Sequence, residues 1–558
     1  MMPRYPVEGV AYPQPEDGER YLRDGAWHPL SAGAILRETA RRVPDKSAII
    51  SEGRRLTYAE FDAASEKLAA SLLDMGLNPG DRAMFQMGSV TETAIAVLAC
   101  AKAAIIPVCT LPQHRAIEIG ELAERADARA YFVQADFSSF DLVGFAAGMA
   151  KNRGIERLIV ARAEKPLDPD QYDFNSLIEK QTLERARAKV KEVALTPADV
   201  LMFQLSGGST NVPKIIPRFH GEFLGLAGAW SRRTSMEPDS VVLYALPLIH
   251  TAGLVSVLYP CILYGATCVL MQRMEANAFF TLVEQERVTH SMSIGPAATQ
   301  MLDYDGIRNH DVSSLKLLSN FHGSEAMERH IGVRCLNIFG LGEGLIMSSE
   351  LISIPKIRYD TVGWPLSEFD EVRLLEPGTE REVALGEMGE FCFRGPSRTC
   401  GYFNMPQLNE SSYTSDGFFR SGDLMTAERI DGRICYSFRG RMKDNINRGG
   451  EKFGAEEVEV IIGRHPDILE AKVVAMPDRV YGEKACAFLI MAPGASPPAV
   501  KALGDFLVAQ GLAKFKIPER IERIDRFPVT RVGKVDKQAL RDRIQTILAT
   551  EATSRQTA

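Results

Sequence analysis

An α/β fold is predicted: a large N-terminal part of parallel sheets with covered faces, a small β subdomain, and a separate C-terminal α/β unit. Three observations predict it. Short apolar runs alternate with helical stretches from residue 48 to residue 345, the pattern of strands joined by crossover helices. From Asp370 to Phe393 the runs shorten and turns such as Glu376-Pro377-Gly378 and Leu385-Gly386 separate them, which reads as a β subdomain closing the larger one. A stretch rich in glycine and charge, Phe438-Arg439-Gly440-Arg441-Met442-Lys443-Asp444, then marks a boundary. We therefore expect a large domain over residues 1–442, a small mobile domain over 443–550 and a disordered polar tail over 551–558.

In chain order, an amphipathic helix spans Ala34–Arg42 and ends at Val43-Pro44, because the residue before proline avoids the α region. Ala48–Ile50 and Leu56–Tyr58 form a hairpin. Thr57 caps the next helix, with Glu60 three residues on completing a capping box. That helix runs through Leu73. A strand at Arg82–Gln86, a helix at Ala94–Ala103 and a strand at Ile105–Val108 follow. The charged helix Leu183–Glu192 presents a solvated face rather than a binding site. Val200–Leu205 is a buried strand, further units occupy residues 241–345, and Cys335–Phe339 is the strand that ends them.

Composition excludes several classes. The chain has 558 residues, 45% hydrophobic and 25% charged, with a net charge of −7. An acidic protein lacks the basic surface that non-specific nucleic-acid binding needs. Nine cysteines carry no zinc-type spacing and read as reduced thiols. The N-terminus lacks the apolar core of a signal peptide. Val241–Gln272 contains no Asp, Glu, Lys or Arg, yet Pro247, Gly253, Pro260 and Gly265 interrupt it, so it reads as a buried strand–loop–helix–strand unit rather than a membrane span. We expect a soluble cytoplasmic protein, monomer or homodimer.

The strand Val200–Leu205 feeds Ser206-Gly207-Gly208-Ser209-Thr210-Asn211-Val212-Pro213-Lys214. Two glycines let the backbone turn its N–H groups toward an anion, and Lys214 adds a positive charge suited to a polyphosphate. The spacing is not that of a Walker A loop, and taken alone the stretch is a polar turn. Four further motifs decide the reading: Phe339-Gly340-Leu341-Gly342-Glu343-Gly344, Arg420-Ser421-Gly422-Asp423, Gly440-Arg441-Met442-Lys443-Asp444 and Gly533-Lys534-Val535. Together, in this order, they resemble the adenylate-forming superfamily of acyl-CoA synthetases, peptide-synthetase adenylation domains and luciferases. Leu205–Arg218 and Asp444–Lys452 look closest to its aryl-acid branch, the 2,3-dihydroxybenzoate and salicylate ligases.

The resemblance implies a set of roles. Ser206, Gly207, Gly208, Ser209, Thr210 and Lys214 cradle the phosphates of ATP, with Gly340 and Gly342 close by. Glu343 is the Mg²⁺ ligand, since Mg²⁺ takes one or two carboxylates plus phosphate oxygens. Gly342 departs from the Thr or Ala usual there. Asp423 grips the ribose hydroxyls, and Arg441 contacts ribose and phosphate. Lys443 is the hinge, and Lys534 bridges the acyl carboxylate and the α-phosphate. Gly449 and Gly450 line the channel for a pantetheine thiol.

The acyl pocket is expected from His250, Thr251, Ala252 and Ser256 on one side and Asn320, His322 and Gly323 on the other. His250 matches the family's gate beside the carboxylate. The aryl-acid ligases carry Asn after this His; here Thr251 stands in its place, then Ala252 where an aromatic is usual. The implied reaction activates an aryl carboxylic acid with ATP and Mg²⁺ and passes the acyl group to coenzyme A or to the phosphopantetheine of a separate carrier protein. An alkyl or fatty acyl-CoA ligase is the alternative, as is an adenylate-binding homologue without catalysis.

Overall fold

The computed structural model describes residues 1–206, 213–294, 296–321, 323–442, 445–528 and 535–556. Two large sheets carry most of the chain. The seven-stranded sheet runs from Gln171–Asp173 through Arg157–Ala161, Ala128–Gln134, Arg82–Gln86, Ile106–Val108 and Val200–Leu205 to Ile215–Phe219. Its strands pair in parallel up to Val200–Leu205, which pairs antiparallel with Ile215–Phe219. The nine-stranded sheet has a parallel centre from Cys335–Gly340 through Leu317–Asn320, His290–Ser293, Val241–Tyr244 and Thr267–Leu270 to Ser47–Ser51. Helices cover both faces, so the central strands read as continuous apolar runs rather than alternating ones. Leu201, Met202 and Phe203 are all buried.

The helix expected over Ala34–Arg42 starts two residues earlier, and the capping box at Thr57 forms as expected. Ser31 caps the helix Ala32–Arg42. Thr57 Oγ1 accepts from Glu60 N while Glu60 Oε2 accepts from Thr57 N, starting the helix Tyr58–Asp74; such a cap contributes about 1 kcal/mol. Residues 241–270 form a strand, a short helix, one turn of π-helix at Leu254–Leu258, a helix and a strand. Among the described residues no helix is long and apolar enough to cross a membrane.

Beyond residue 370 the pairing becomes mainly antiparallel, the strand Arg520–Arg523 alone among the described strands there pairing in parallel. Glu371–Leu375, Met388–Arg394, Phe419–Ile430 and Arg433–Arg441 form a four-stranded meander. A further sheet of five strands follows, centred on the long hairpin Ile468–Asp478 and Gly482–Met491. Its two faces bury different cores, because side chains alternate along a strand. Val473, Ala487 and Leu489 pack on the helices Ala455–Ile462 and Val500–Ala509, while Val474, Cys486 and Phe488 pack on Phe527, Leu540 and Ile544.

One expectation is corrected. The tail over 551–558 was expected to be disordered, yet the helix Lys537–Gln556 runs on through most of it. Nothing in Ala549–Gln556 breaks a helix, and Arg520 ties it down with bonds to both Glu551 oxygens at 3.0 and 2.6 Å. Thr557 and Ala558 lie outside the described residues.

Candidate active site

Both parallel sheets end their strands at one cavity of about 1140 Å³, its open mouth included. The strand ends Gln204-Leu205-Ser206 enter from the seven-stranded sheet, and Ile338-Phe339-Gly340 from the nine-stranded one. Binding outside the carboxyl ends of strands is the general geometry of open α/β sheets.

Gly207, Gly208, Ser209 and Thr210 lie outside the described residues, but both ends of their loop are fixed. Ser206 N donates to Lys214 O at 2.9 Å, and Lys214 N donates to Ser206 Oγ at 3.2 Å. These bonds close the neck of the loop. Lys214 Nζ then lies 4.4 Å from the centre of the Tyr402 ring, and the Tyr402 hydroxyl donates to Glu343 Oε1 at 2.9 Å. Burial, and then the Glu343 charge, push the phenol far above its ordinary range, so Tyr402 stays a donor. One aromatic ring thereby holds a cation over its face and a carboxylate at its hydroxyl.

Glu343 is held from behind as well. Arg218 is fully buried on the strand leaving the phosphate loop and pairs with Glu222. Its Nη1 donates to Gly342 O at 2.6 Å, across 124 positions of sequence. The glycine at 342 has a local cause: a Cβ there would sit 3.1 Å from Ile216 Cδ1. At Gly344 φ is +143° and a Cβ would collide with Ser397 O at 1.8 Å, so only glycine fits. Arg218→Met should cost about 3 kcal/mol, because Glu222 would be left charged and unpaired in the core. A fall in the denaturant midpoint together with weaker adenylation is the expected outcome; an unchanged midpoint would remove Arg218 from this role.

Asp423 is buried in the strand Phe419–Ile430, its N–H donating to Ser421 Oγ at 3.0 Å. Backbone register sets Arg441 directly opposite it. Lys443 and Lys534 lie outside the described residues. Gly449 and Gly450 both have positive φ, +64° and +100°, and Gly450 N donates to Asn447 Oδ1 at 3.1 Å. Gly450 and Glu451 line the cavity from the C-terminal sheet, and a Cβ on Gly450 would come within 3.3 Å of Ile294. Burial raises the Glu451 carboxyl to about 7.

His250, Thr251, Ala252 and Ser256 all line the cavity, as do Trp230, Met292 and Ile338. The His250 Nδ1 accepts from Ala252 N at 3.3 Å, which fixes the imidazole at the start of a short helix. Thr251 Oγ1 donates to Gln204 Oε1. Ser256 reaches the wall from the π-helical turn, a form that recurs at functional sites. The opposite side differs from expectation. Asn320 does not line the pocket: it is buried, accepts from Ser293 Oγ, and donates to Ser324 Oγ at 3.1 Å. Its amide is used up in knitting the sheet end, and Phe321 lines the cavity instead. Gly323, with φ +76°, leads into the helix Ser324–Ile331, and His322 lies outside the described residues. Tyr402, Arg218 and Gln204 carry structural weight at the site that no motif announces.

Residues 36–403 match the AMP-binding enzyme family, and residues 457–534 the AMP-binding enzyme C-terminal domain. Pyochelin synthase PchD of Pseudomonas aeruginosa (strain UCBPP-PA14) is 36% identical over 545 residues, covering 96% of each chain. The 2,3-dihydroxybenzoate-AMP ligase of Bacillus subtilis (strain 168) is 34% identical over 551 residues, covering 95% of this chain and 97% of its own. Among solved structures, the apo structure of Mycobacterium smegmatis MbtA aligns with a TM-score of 0.72 at 29% identity, covering 96% of this chain and 98% of that one. A match of this extent across the phosphate loop, the glutamate turn and the C-terminal sheet makes the chain a member of the AMP-binding enzyme family.

Proposed function

We propose that this protein activates an aromatic carboxylic acid with ATP and then transfers the acyl group to a pantetheine thiol. The observation that carries the reading is continuity. One cavity joins the neck of the phosphate loop, an apolar pocket walled by Trp230, Met292 and Ile338, and the Gly450-Glu451 turn of the C-terminal sheet. In the first step a carboxylate oxygen attacks the α-phosphorus of ATP, and the bond to the leaving pyrophosphate breaks. In the second the thiol sulfur attacks the acyl carbon, AMP leaves, and the thiol proton goes to solvent. The first step brings two anions together, so oriented cations and donors lower its barrier.

Lys214 and the loop 206–214 serve the β- and γ-phosphates, and Asp423 the ribose. His250 borders the carboxylate being activated, with Arg441 beside the nucleotide. Glu343 fits Mg²⁺, since its carboxylate is braced by Tyr402 and a nucleotide's phosphate oxygens complete such a shell. Bound there, Mg²⁺ offsets charge on the phosphates. Residues 443–550 act as a lid that brings first Lys534 and then Gly449-Gly450 to the acyl group. The acceptor is coenzyme A or the phosphopantetheine of a separate carrier protein.

Acid-dependent pyrophosphate exchange across benzoate, salicylate, dihydroxybenzoate, heteroaryl and alkyl acids tests the reading, followed by transfer to coenzyme A or a carrier. Exchange with alkyl acids alone would favour a fatty acyl ligase, and none at all a non-catalytic homologue. The pocket yields a sharper expectation. The Thr251 hydroxyl hydrogen is already given to Gln204, so it offers a substrate 2-hydroxyl no donor. Wild type should therefore prefer salicylate to benzoate only weakly. Thr251→Asn restores separate donor and acceptor groups and should raise that preference about tenfold, the worth of one good hydrogen bond. A wild type that already prefers salicylate by orders of magnitude contradicts this account.

A further inference from the structure

Between the large domain and the C-terminal sheet a nearly buried charged cluster borders the cavity, whose wall Lys516 also lines. Lys516 Nζ is 2.8 Å from Glu118 Oε1 and donates to Glu457 Oε1 at 2.6 Å. The side chains are 3, 0 and 2% exposed. Glu118 belongs to the helix Ala116–Arg125 of the large domain, whereas Lys516 and Glu457 belong to the C-terminal unit. The ammonium is thus shared across the boundary. Apolar groups seal the cluster: Ile117 packs on the C-terminal core, and Phe515 lies 6.4 Å from the His114 ring. Gly511 comes so close to this helix that a Cβ would lie 3.3 Å from Ile117 Cγ1.

A second bridge across the boundary, Arg479 to Asp303, has side chains 73 and 50% exposed. Exposed pairs of that kind contribute little. A buried one behaves differently: once made it is orientation-specific, and removing one partner is strongly felt. In this structure the contact coexists with Gly450 and Glu451 on the cavity wall.

We infer that Lys516 and Glu118 form a latch that holds the C-terminal unit in the thiol-transfer orientation, making them positioning residues for the second half-reaction. This rests on the two-step reading above. The electrostatics agree: burial alone would neutralise both groups, but the Lys516 ammonium, together with the other donors around the carboxylate such as Arg115 N, outweighs it and holds Glu118 below the ordinary carboxylate range. Burial likewise pulls on Lys516, and Glu118 with Glu457 more than offset it. His114, facing the same cluster, is lowered by burial to about 4 and stays neutral.

Glu118→Gln isolates the latch. Glutamine keeps the side-chain volume and still accepts from Arg115 N, the bond that Glu118 Oε2 makes at 2.9 Å, so the helix start survives. The Lys516–Glu457 pair within the C-terminal unit is untouched. Two readouts are compared with the acid that gives the strongest exchange: pyrophosphate exchange, and single-turnover loss of the acyl-adenylate to free pantetheine. We expect unchanged exchange and transfer slowed about tenfold or more, the scale on which one arm of a buried charge cluster is felt. Combining it with Lys516→Met should add little to the loss from Lys516→Met alone, since Lys516→Met already removes the Lys516–Glu118 contact. Parallel losses in both readouts, full additivity, or unchanged transfer would overturn the latch. A wild type with no acid-dependent exchange would instead overturn the underlying reading, and exchange without transfer to any thiol would overturn both.

Discussion

Glu343→Gln will depress acid-dependent pyrophosphate exchange by about 100-fold and raise the Mg²⁺ concentration needed for half-maximal rate at least about tenfold. Glutamine keeps the shape and can still accept from Tyr402, so the turn should persist. What is lost is one full negative charge, the feature a hard divalent cation selects. Tyr402→Phe provides the control. It removes the bond to Glu343 Oε1 and leaves the carboxylate and the ring beneath Lys214 in place. Its effect should be smaller, about tenfold, as for one hydrogen bond to a charged group. Excess Mg²⁺ should restore more of the activity of Tyr402→Phe than of Glu343→Gln. An unchanged Mg²⁺ dependence in Glu343→Gln would assign the residue to the turn's structure alone.

That pair of variants marks where sequence reasoning stops. Glu343 could be singled out in the sequence because it closes a strand inside a glycine turn that resembles the family's motif, a short-range pattern. Tyr402 was not: its bond to Glu343 spans 59 positions, and a tyrosine after Cys400-Gly401 carries no local signature. Arg218 ends a string that was read for its likeness to relatives, and its task depends on a carbonyl 124 positions away. The strands Arg82–Gln86 and Val200–Leu205 agree with expectation to the residue, because apolar runs bounded by turns are local facts. The order of nine strands in a sheet is not local. Asn320 shows the converse error: its position beside the pocket was right, but three neighbouring polar groups decide where its amide points.

Lys534→Ala will abolish acid-dependent pyrophosphate exchange, by about 10³-fold, and leave transfer from a supplied acyl-adenylate to pantetheine nearly intact. The carboxylate and the α-phosphate are both anions, and a lysine ammonium between them is needed only while they approach. After the acyl–phosphate bond has formed that need is gone. The structure gives a reason to expect the split. Gly450 and Glu451 already border the cavity, on the side of the C-terminal sheet whose core includes Phe453 and Ala487. Val535, the neighbour of Lys534 in sequence, packs with Val474, Cys486 and Phe488 on the opposite face of that sheet. On the proposed reading the unit turns between the steps, so that Lys534 serves the first and Gly449-Gly450 the second. Lys534→Ala and Glu118→Gln should then fail in opposite halves of the reaction, the first in exchange and the second in transfer. If Lys534→Ala slows both halves equally, the lysine supports a single fixed orientation and the turning of the C-terminal unit is excluded.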